Sequence, residues 1–363
     1  YLNSRHCLFC RVLLVTKTRP IEMFTINRMF RILLYVVSTF GVFGQSIAAE
    51  VDLDNGDRLT GTVVHLDENA LRLQTDYAGE IRIDWQRVRK LTTDKEIVVL
   101  TKDNRILRGK MTATPGTGYE LVTATGETIR AEEATIESIN PADWEIGRGS
   151  DWAGKVNISL KSDRGNSEKD EIDLDVFAQR RRRDDRLEFR GDLEYDTSLG
   201  DTTKDKWNGL GKYDYFVTQK KYYAANAAIE HDEFKGLKLR YRLGPAIGYQ
   251  FFEEERRNLR AEVGAYYTSS DIKGKGVSEG IAAGWLVDGD YTFSTVPVQG
   301  YHWQSMVLSN PENMNFQSKT GLRLPLGSGF LASAEVEANW DAETAGASDK
   351  TEVIYRFKLG YGW

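Results

Sequence analysis

From Trp152 to the end of the chain, apolar and polar residues alternate over stretches of roughly nine to thirteen positions, each ending at a charged or glycine-rich turn. Successive side chains of a β-strand point to opposite faces, so this period of two gives every stretch one apolar and one polar face. No soluble hydrophobic core could accept the polar face of segment 186–194. Its charged positions are Arg186, Glu188, Arg190, Asp192 and Glu194.

A closed barrel in a membrane accommodates both faces, because the apolar face meets lipid, the charged face lines a wet lumen and no strand edge stays unpaired. The second half of the chain is therefore predicted to be an all-β, antiparallel transmembrane β-barrel of about 12 strands. The charged positions of 186–194 are expected to face the lumen, which should be narrow. Strands eight and nine, around 281–287 and 296–307, are the least regular because Pro297 and several glycines interrupt the alternation.

The last strand alternates most cleanly, and the chain stops on an aromatic residue. A terminal aromatic residue after alternating apolar ones resembles the C-terminal signal that the barrel-assembly machinery reads. That machinery and outer-membrane lipid are therefore expected partners, and aromatic residues near the strand ends are expected to form interfacial girdles. The candidate assembly signal comprises Tyr355, Phe357, Leu359, Tyr361 and Trp363.

The overall composition would suit a soluble protein, but a barrel with one polar face per strand gives the same averages. Charged residues make up 28% of the chain, and the mean hydropathy is −0.47. The net charge of −6 provides no broad basic field, which argues against nucleic acid as a partner. The arginine run 180–183 precedes two aspartates, and we interpret it as a solvated loop.

The N-terminal 49 residues have the pattern of an export signal. From Met23 or Met29, a basic start is followed by an apolar stretch over 32–43 and small residues at Ser46 and Ala48. Cleavage after Ala48 or Ala49 would start the mature protein near residue 50, and residues 1–22 would be an over-extended translation start. The two cysteines, at positions 7 and 10, would be removed with the signal, which excludes disulfides and cysteine metal sites in the mature protein.

Residues 50–145 contain two similar stretches, shifted by roughly 47 or 48 positions, which indicates a duplicated unit. Leu59 and Gly61 match Leu107 and Gly109. Short alternating segments predict small, SH3-like β-units, and the Asn55-Gly56 pair (residues 55–56) predicts a tight hairpin turn with positive φ at both positions. A Pro- and Gly-punctuated segment over 140–151 is the expected hinge, and the barrel domain is assigned to 146–363.

Acidic residues of this N-terminal domain are interpreted as solvated turns. The stretch 54–57 lacks the spaced ligands and the terminal glutamate of a calcium loop. No cofactor, metal or catalytic residue is predicted from the sequence.

Three phrases resemble a bacterial family called domain of unknown function 481: LDNGDRLTGTV, YAGEIRIDW, and the barrel opening DWAGKVNISLKSDRGNSEKDEIDLDV. The resemblance extends from about residue 51 to the aromatic terminus. Members of that family are described as salt-induced outer-membrane proteins. The resemblance implies a location in the outer membrane of a Gram-negative cell, with the N-terminal domain in the periplasm, but no catalytic residues.

Three functions are compatible with these patterns. The first is a non-enzymatic envelope protein, either a narrow pore or a structural or stress-related barrel. The second is a lipid-modifying enzyme, for which His231 or His302 on the outer wall would need a Ser and an Asn or acidic partner within hydrogen-bond reach. The third is a barrel that anchors a periplasmic domain binding a protein or peptidoglycan, in which an exposed strand edge could recruit a peptide.

Overall fold

The computed structural model describes residues 48–66, 70–114, 118–163, 169–254, 256–293, 296–309, 314–342 and 350–363. The expected export signal and both cysteines lie outside these ranges, except for the last residues of the signal, Ala48 and Ala49. In the part of the chain that is described, no helix is long and apolar enough to cross a membrane. Regular structure there is β-strand, with two short 3-10 turns.

The two sequence repeats fold into two units with the same strand pairing. In the first unit β1 pairs with β2 and β5, β2 with β3, and β3 with β4. In the second unit β6 pairs with β7 and β10, β7 with β8, and β8 with β9. The elements are β1 (Ala48–Leu53), β2 (Arg58–Leu66), β3 (Ala70–Thr75), β4 (Gly79–Asp84), η1 (Trp85–Arg87), β5 (Val88–Thr93), β6 (Ile97–Thr101), β7 (Ile106–Ala113), β8 (Gly118–Val122), β9 (Thr128–Glu132), η2 (Glu133–Thr135) and β10 (Ile136–Ile139).

The units join edge to edge and share one hydrophobic core. Ile139 of β10 pairs with Leu66 of β2, which produces a ten-stranded sheet. Gly61 and Gly109 occupy equivalent positions of close strand approach. A Cβ at Gly61 would lie 2.3 Å from a backbone carbonyl oxygen of β3, and a Cβ at Gly109 would lie 2.7 Å from the carbonyl oxygen of Val122. Side chains buried in the shared core include Val51, Leu71, Leu73, Leu91, Val99, Met111, Leu121 and Ile139.

The tight turn predicted at Asn55-Gly56 is wrong in its geometry. Residues 54–57 connect β1 to β2, and the left-handed conformation is adopted by Gly56 (φ 89°) but not by Asn55. The Gly56 N–H donates to the Leu53 carbonyl at 3.2 Å. The turn is therefore longer than a two-residue hairpin loop, and the second unit has Asn104 (φ 64°) in the matching position.

The second half of the chain forms a closed barrel in which the 12 strands follow one another in sequence order, every neighbour antiparallel. The prediction of about 12 strands is confirmed. The ninth barrel strand begins at Gln299 rather than near residue 296, because Pro297 cannot donate a ladder hydrogen bond. The strands are β11 (Asp151–Asp163), β12 (Lys169–Arg181), β13 (Asp185–Ser198), β14 (Asp201–Phe216), β15 (Lys221–Asp232), β16 (Leu237–Glu253), β17 (Arg257–Ile272), β18 (Gly276–Thr292), β19 (Gln299–Leu308), β20 (Met314–Gly327), β21 (Phe330–Asp341) and β22 (Thr351–Gly362).

The outer wall of the barrel is apolar and aromatic residues concentrate at both of its rims. We call the rim where β11 begins and β22 ends the terminal rim, and the opposite one the far rim. Exposed residues such as Leu243, Ile281 and Phe357 cover the wall between them. Aromatic residues at the terminal rim include Tyr215, Tyr223, Tyr249, Tyr291, Phe330 and Trp363, and those near the far rim include Tyr195, Trp207, Tyr241 and Tyr267.

The barrel closes along a short seam between its first and last strands. Backbone register between β11 and β22 runs from Lys155 to Ile158, and Gly154 and Trp363 exchange two N–H···O bonds of 3.0 Å. At and beyond the far-rim end of this register, side chains of β22 reach past β11 to β12, where Lys358 contacts Asp175 at 2.9 Å and Arg356 contacts Asp173 at 3.5 Å. Part of the seam is therefore closed by ion pairs instead of backbone hydrogen bonds.

The expected hinge is a packed connection. Asn140 accepts a hydrogen bond from the Val98 N–H and donates to the Val63 carbonyl, both at 3.1 Å. Residues 142–148 form hydrogen-bonded turns, and the ring of Trp144 lies 4.8 Å from the Arg181 guanidinium at the terminal rim. These contacts hold the N-terminal sheet region against that rim.

Candidate functional site

The lumen of the barrel carries the charged residues, and the sequence-predicted charged face of β13 points into it. Arg186 is 2% exposed, Glu188 1% and Glu194 5%. Arg190 and Asp192, the remaining two of the five, contact partners on distant strands inside the barrel. The period of two places all five side chains on one face, and barrel closure brings that face inward.

Ion pairs cross the lumen between strands that lie nearly opposite each other in the barrel order, and three of them are short. Arg190 of β13 contacts Asp288 of β18 at 2.6 Å. Asp192, also of β13, contacts Lys319 of β20 at 2.5 Å. Nearer the far rim, Arg240 of β16 contacts Asp341 of β21 at 2.7 Å. The lumen is thus bridged by side chains at three levels.

The terminal half of the lumen, on the side of β13 to β17, is filled by a network of buried charges. Glu188 accepts from Arg260 at 2.5 Å, and Arg186 contacts Asp214 at 2.7 Å. Lys212 bonds to Glu262, which also accepts from the Tyr222 hydroxyl at 2.9 Å. All are at most 2% exposed. Buried charges need partners of opposite sign, and this side of the barrel supplies them.

A second network lies toward the far rim. Glu194 contacts Arg356 at 2.6 Å, Lys204 at 2.6 Å and Lys206 at 3.2 Å. Arg356 also bonds to Glu337. Because both networks combine the two signs of charge, neither one selects cations or anions by itself.

Between the networks lies a chamber of about 580 Å³ inside the barrel. Its wall includes two cations that pack on aromatic rings. The Lys155 ammonium lies 5.4 Å from the ring centre of Phe177 and 5.5 Å from that of Tyr301. The Arg323 guanidinium lies 4.5 Å from the Tyr301 ring, and Trp303 also lines the chamber.

Sequence reasoning missed these chamber residues. Lys155 alternates with the apolar residues of β11, so its parity could have identified it. Tyr301 and Trp303 were harder to find, because these aromatic residues point inward while the polar residues His302 and Gln304 alternate with them on the outer face of β19. The inward aromatic residues thus add to the irregularity that Pro297 and the glycines introduce in the ninth strand.

The arginine run was wrongly interpreted as a solvated loop throughout. Arg180 and Arg181 belong to β12, and Arg181 is 5% exposed. Its guanidinium donates to Glu253 at 2.9 and 3.0 Å and lies 3.9 Å from the ring of Phe216. A rigid planar guanidinium pairs with a carboxylate through two bonds and stacks on aromatic faces, so this arginine joins the barrel to the connection that carries Trp144.

Both candidate histidines lie on the outer wall, with different partners. His231 stacks on Trp207 at 5.7 Å, and its Nδ1 lies 2.8 Å from the Lys238 carbonyl oxygen. His302 lies between the Thr320 hydroxyl, 2.7 Å from Nδ1, and the Gln304 side-chain oxygen, 3.1 Å from Nε2. Within the described ranges, no group of three or more His, Cys, Asp and Glu side chains could hold a metal ion.

The candidate assembly-signal residues follow the outward face of β22. Tyr355 is 75% exposed, Phe357 81%, Leu359 63% and Trp363 57%. Tyr361 packs edge-on against Phe330 with ring centres 5.6 Å apart. This strand therefore presents a continuous apolar row on the outside of the barrel.

A closed antiparallel barrel with an apolar outer wall, aromatic rims and a charged interior defines the class of transmembrane β-barrels found in bacterial outer membranes. Within that class, the family model described as "Protein of unknown function, DUF481" matches residues 156–363, more than half of the chain, and the chain belongs to that family. The match covers the barrel. It does not include the N-terminal stretches LDNGDRLTGTV and YAGEIRIDW, to which the sequence resemblance was expected to extend.

Several solved structures share the barrel architecture at low similarity. The NanC porin is 9% identical with a TM-score of 0.38, and the alignment covers 58% of this chain and 98% of that one. The beta domain of the Bordetella autotransporter Brka is 13% identical (TM-score 0.28, 59% and 98% covered). The translocator domain of NalP from Neisseria meningitidis is 8% identical (0.29, 60% and 88%). These scores are too low to carry a functional argument, and no curated protein matches this chain.

Proposed function

We propose that this protein is a narrow, non-catalytic pore of the outer membrane, with its N-terminal sheet region in the periplasm. The observation that carries the proposal is the set of ion pairs across the lumen, of which Arg190 to Asp288 at 2.6 Å is one. They narrow the lumen around an internal chamber of about 580 Å³. A wide porin would need a lumen free of such bridges.

The connections at the two rims support the orientation. Outer-membrane barrels combine short periplasmic turns with longer extracellular loops. The longest terminal-rim connection is 293–298, whereas the longest far-rim connection, 342–350, joins β21 to β22. The N-terminal region is attached at the terminal rim, which we assign to the periplasm. Outer-membrane lipid and the barrel-assembly machinery are the partners that this assignment requires.

The pore is tested by reconstituting the full-length mature protein in planar bilayers at several salts. Small, steady current steps are the expected result. Silence under all conditions would overturn the pore and favour a structural role, or an anchor for a periplasmic domain that binds a protein or peptidoglycan. A peptidoglycan sedimentation assay with the same protein would separate those two remaining roles.

The contacts of His302 are the one observation that favours an enzyme, since a hydroxyl and a side-chain amide bracket its ring. We propose that this group is structural. The hydroxyl belongs to Thr320 and not to the serine that the enzyme alternative requires. The surrounding backbone N–H groups belong to the ladder between β19 and β20, so they are not available as an oxyanion hole. Hydrolysis of a fluorescent phospholipid by the wild type, lost in His302→Ala but kept in His231→Ala, would overturn this.

A further inference from the structure

The chamber holds three side-chain donors that no residue in the described ranges satisfies. The indole Nε1 of Trp303 and the Nε of Arg323 are buried without a hydrogen-bond acceptor. Lys155 contacts the rings of Phe177 and Tyr301, and no carboxylate of the described chain pairs with it. Elsewhere in the lumen, most cations contact a carboxylate, which makes this cluster an exception.

The carboxylates that line the chamber are already engaged with other groups. Asp192 pairs with Lys319, Asp175 with Lys358, and Asp288 with two arginines. Asp290 accepts from the Gln299 amide at 2.6 Å, and the oxygen of that same amide accepts from Arg323. Glu335 pairs with Lys358, and Glu230 and Asp341 pair with Arg240. In the described part of the chain Asp290 bonds only to side-chain amides and reaches Arg323 through that of Gln299, so no carboxylate of the described wall contacts either ring-stacked cation directly.

The position of the two cations points to a bound anion. Lys155 on β11 and Arg323 on β20 both lie on the ring of Tyr301, so two like charges share one aromatic side chain. Two cations on one ring repel each other, and an oxyanion that contacts both would replace that repulsion with attraction. Guanidinium and ammonium groups together bind a carboxylate well, since one offers a fork of donors and the other a point charge.

The rest of the chamber suits the carbon skeleton of a small organic molecule. The lining includes Phe177, Leu210 and Leu286 besides the polar groups. A volume of about 580 Å³ lies within the range of small-molecule sites, and it exceeds what a bare inorganic ion requires. Apolar walls with a few convergent donors are the usual composition of such a site.

We propose that the chamber binds a small organic carboxylate, with its oxyanion contacting Lys155 and Arg323 and the Trp303 indole as a third donor. This deepens the proposed pore, on which the inference rests for the access of the solute to the chamber. Binding and conduction are nevertheless separate measurements, so either can fail alone.

The test is isothermal titration of the full-length mature protein in detergent with glucuronate and with benzoate. Their neutral counterparts, glucose and benzyl alcohol, and inorganic phosphate are titrated in parallel. At least one carboxylate is expected to bind, with its neutral counterpart and phosphate binding more weakly. Binding of phosphate as tight as that of the carboxylate would overturn the organic assignment, and absence of binding by both carboxylates would overturn the site.

The variants Lys155→Gln and Arg323→Gln should each weaken binding by about tenfold or more, as expected for loss of a charged hydrogen-bond donor. Arg323→Lys should restore part of the affinity, and Lys102→Gln, on an exposed turn of the N-terminal region, should leave it unchanged. Heat-dependent mobility on electrophoresis verifies that each variant folds. Unchanged affinity in both glutamine variants would overturn the site, whereas binding without current steps would overturn only the pore.

Discussion

Arg190 of β13 reaches across the lumen to Asp288 of β18, with Nη2 and Oδ2 2.6 Å apart. The same two residues belong to a closed set of four charges. Glu188 accepts from Arg190 at 2.8 Å and from Arg260 at 2.5 Å, and Arg260 donates to Asp288 at 2.6 Å. Two cations and two carboxylates thus neutralise one another at one of the levels where the lumen is crossed, which ties opposite walls of the barrel together.

Removing the bridge on both sides should widen the path. We expect the double variant Arg190→Ala/Asp288→Ala to give larger single-channel current steps than the wild type in planar bilayers. Removing both partners avoids leaving an uncompensated buried charge, which would cost about 3–5 kcal/mol. The control is Lys238→Ala/Asp271→Ala, an exposed pair near the far rim (3.2 Å). Equal step sizes in all three proteins would mean that the bridge does not limit conduction.

Arg181 should control how firmly the N-terminal region is held at the terminal rim. Its guanidinium lies between Trp144 and Phe216 and pairs with Glu253. Arg181→Ala should cost about 1–3 kcal/mol of local stability and accelerate tryptic cleavage of the connection after Arg148. Arg181→Lys should be cleaved at a rate between those of the wild type and Arg181→Ala, because an ammonium cannot make the two parallel bonds of a guanidinium to Glu253. Cleavage as slow as in the wild type would contradict this, and Arg89→Ala is the exposed control.

The seam between β11 and β22 should be sensitive to bulk at Gly154. A Cβ there would lie 2.3 Å from Cζ2 of the Trp363 indole. Gly154→Val should therefore reduce the folded, heat-modifiable fraction after refolding into detergent, and Gly154→Ala combined with Trp363→Phe should recover part of it. Gly211→Ala is the matched control, because the nearest atom to its Cβ would be 4.0 Å away. Equal folding of the Gly154→Val and Gly211→Ala variants would contradict this close contact.

Glu145, in the connection at the terminal rim, should make that region more stable in mild acid. Burial raises the pKa of its carboxyl above the usual value, with a smaller opposing contribution from His65. The folded state thus holds the proton more tightly than the unfolded state. The ionised carboxylate therefore destabilises the folded state at a pH above the folded pKa, and this destabilisation disappears as pH falls toward the unfolded pKa.

Glu145→Gln should consequently raise the thermal unfolding midpoint at pH 7.5, and the difference from the wild type should shrink toward pH 4.5. The measurement is differential scanning calorimetry of the full-length protein. Glu127→Gln, on an exposed turn, is the control. A gain in midpoint that stays constant with pH would show that the carboxyl charge is not its origin.

The barrel could be predicted from sequence because lipid and lumen impose opposite chemistry on adjacent residues. Arg186 and Leu187 illustrate this, the former 2% and the latter 43% exposed. The duplication of the N-terminal unit could also be predicted from sequence, because close backbone packing restricts the residue type. Gly61 and Gly109 are required where a neighbouring backbone approaches closely, so the repeat kept both.

Other features depended on contacts that no local pattern reveals. Arg181 looks like part of a solvated run until the fold brings Glu253 and Phe216 beside it. The chamber was missed because Tyr301 and Trp303 are inward aromatic residues, and aromatic side chains suit lipid, interface or lumen equally by composition. Arg190 and Asp288, which pair across the lumen, lie about a hundred residues apart in the sequence. The alternation of apolar and polar residues predicts which side chains face the lumen but not which of them pair.

The way in which the first and last strands meet has a mechanical consequence. Backbone bonds secure their terminal-rim portion, whereas Arg356 and Asp173 link β22 to β12 across the remainder. The backbone register covers only Lys155 to Ile158 of β11, the shortest between any two neighbouring barrel strands, so this edge should separate before any other. Sideways parting of the wall, which would let an acyl chain or an incoming polypeptide enter from the bilayer, would then begin at the far-rim end of that line.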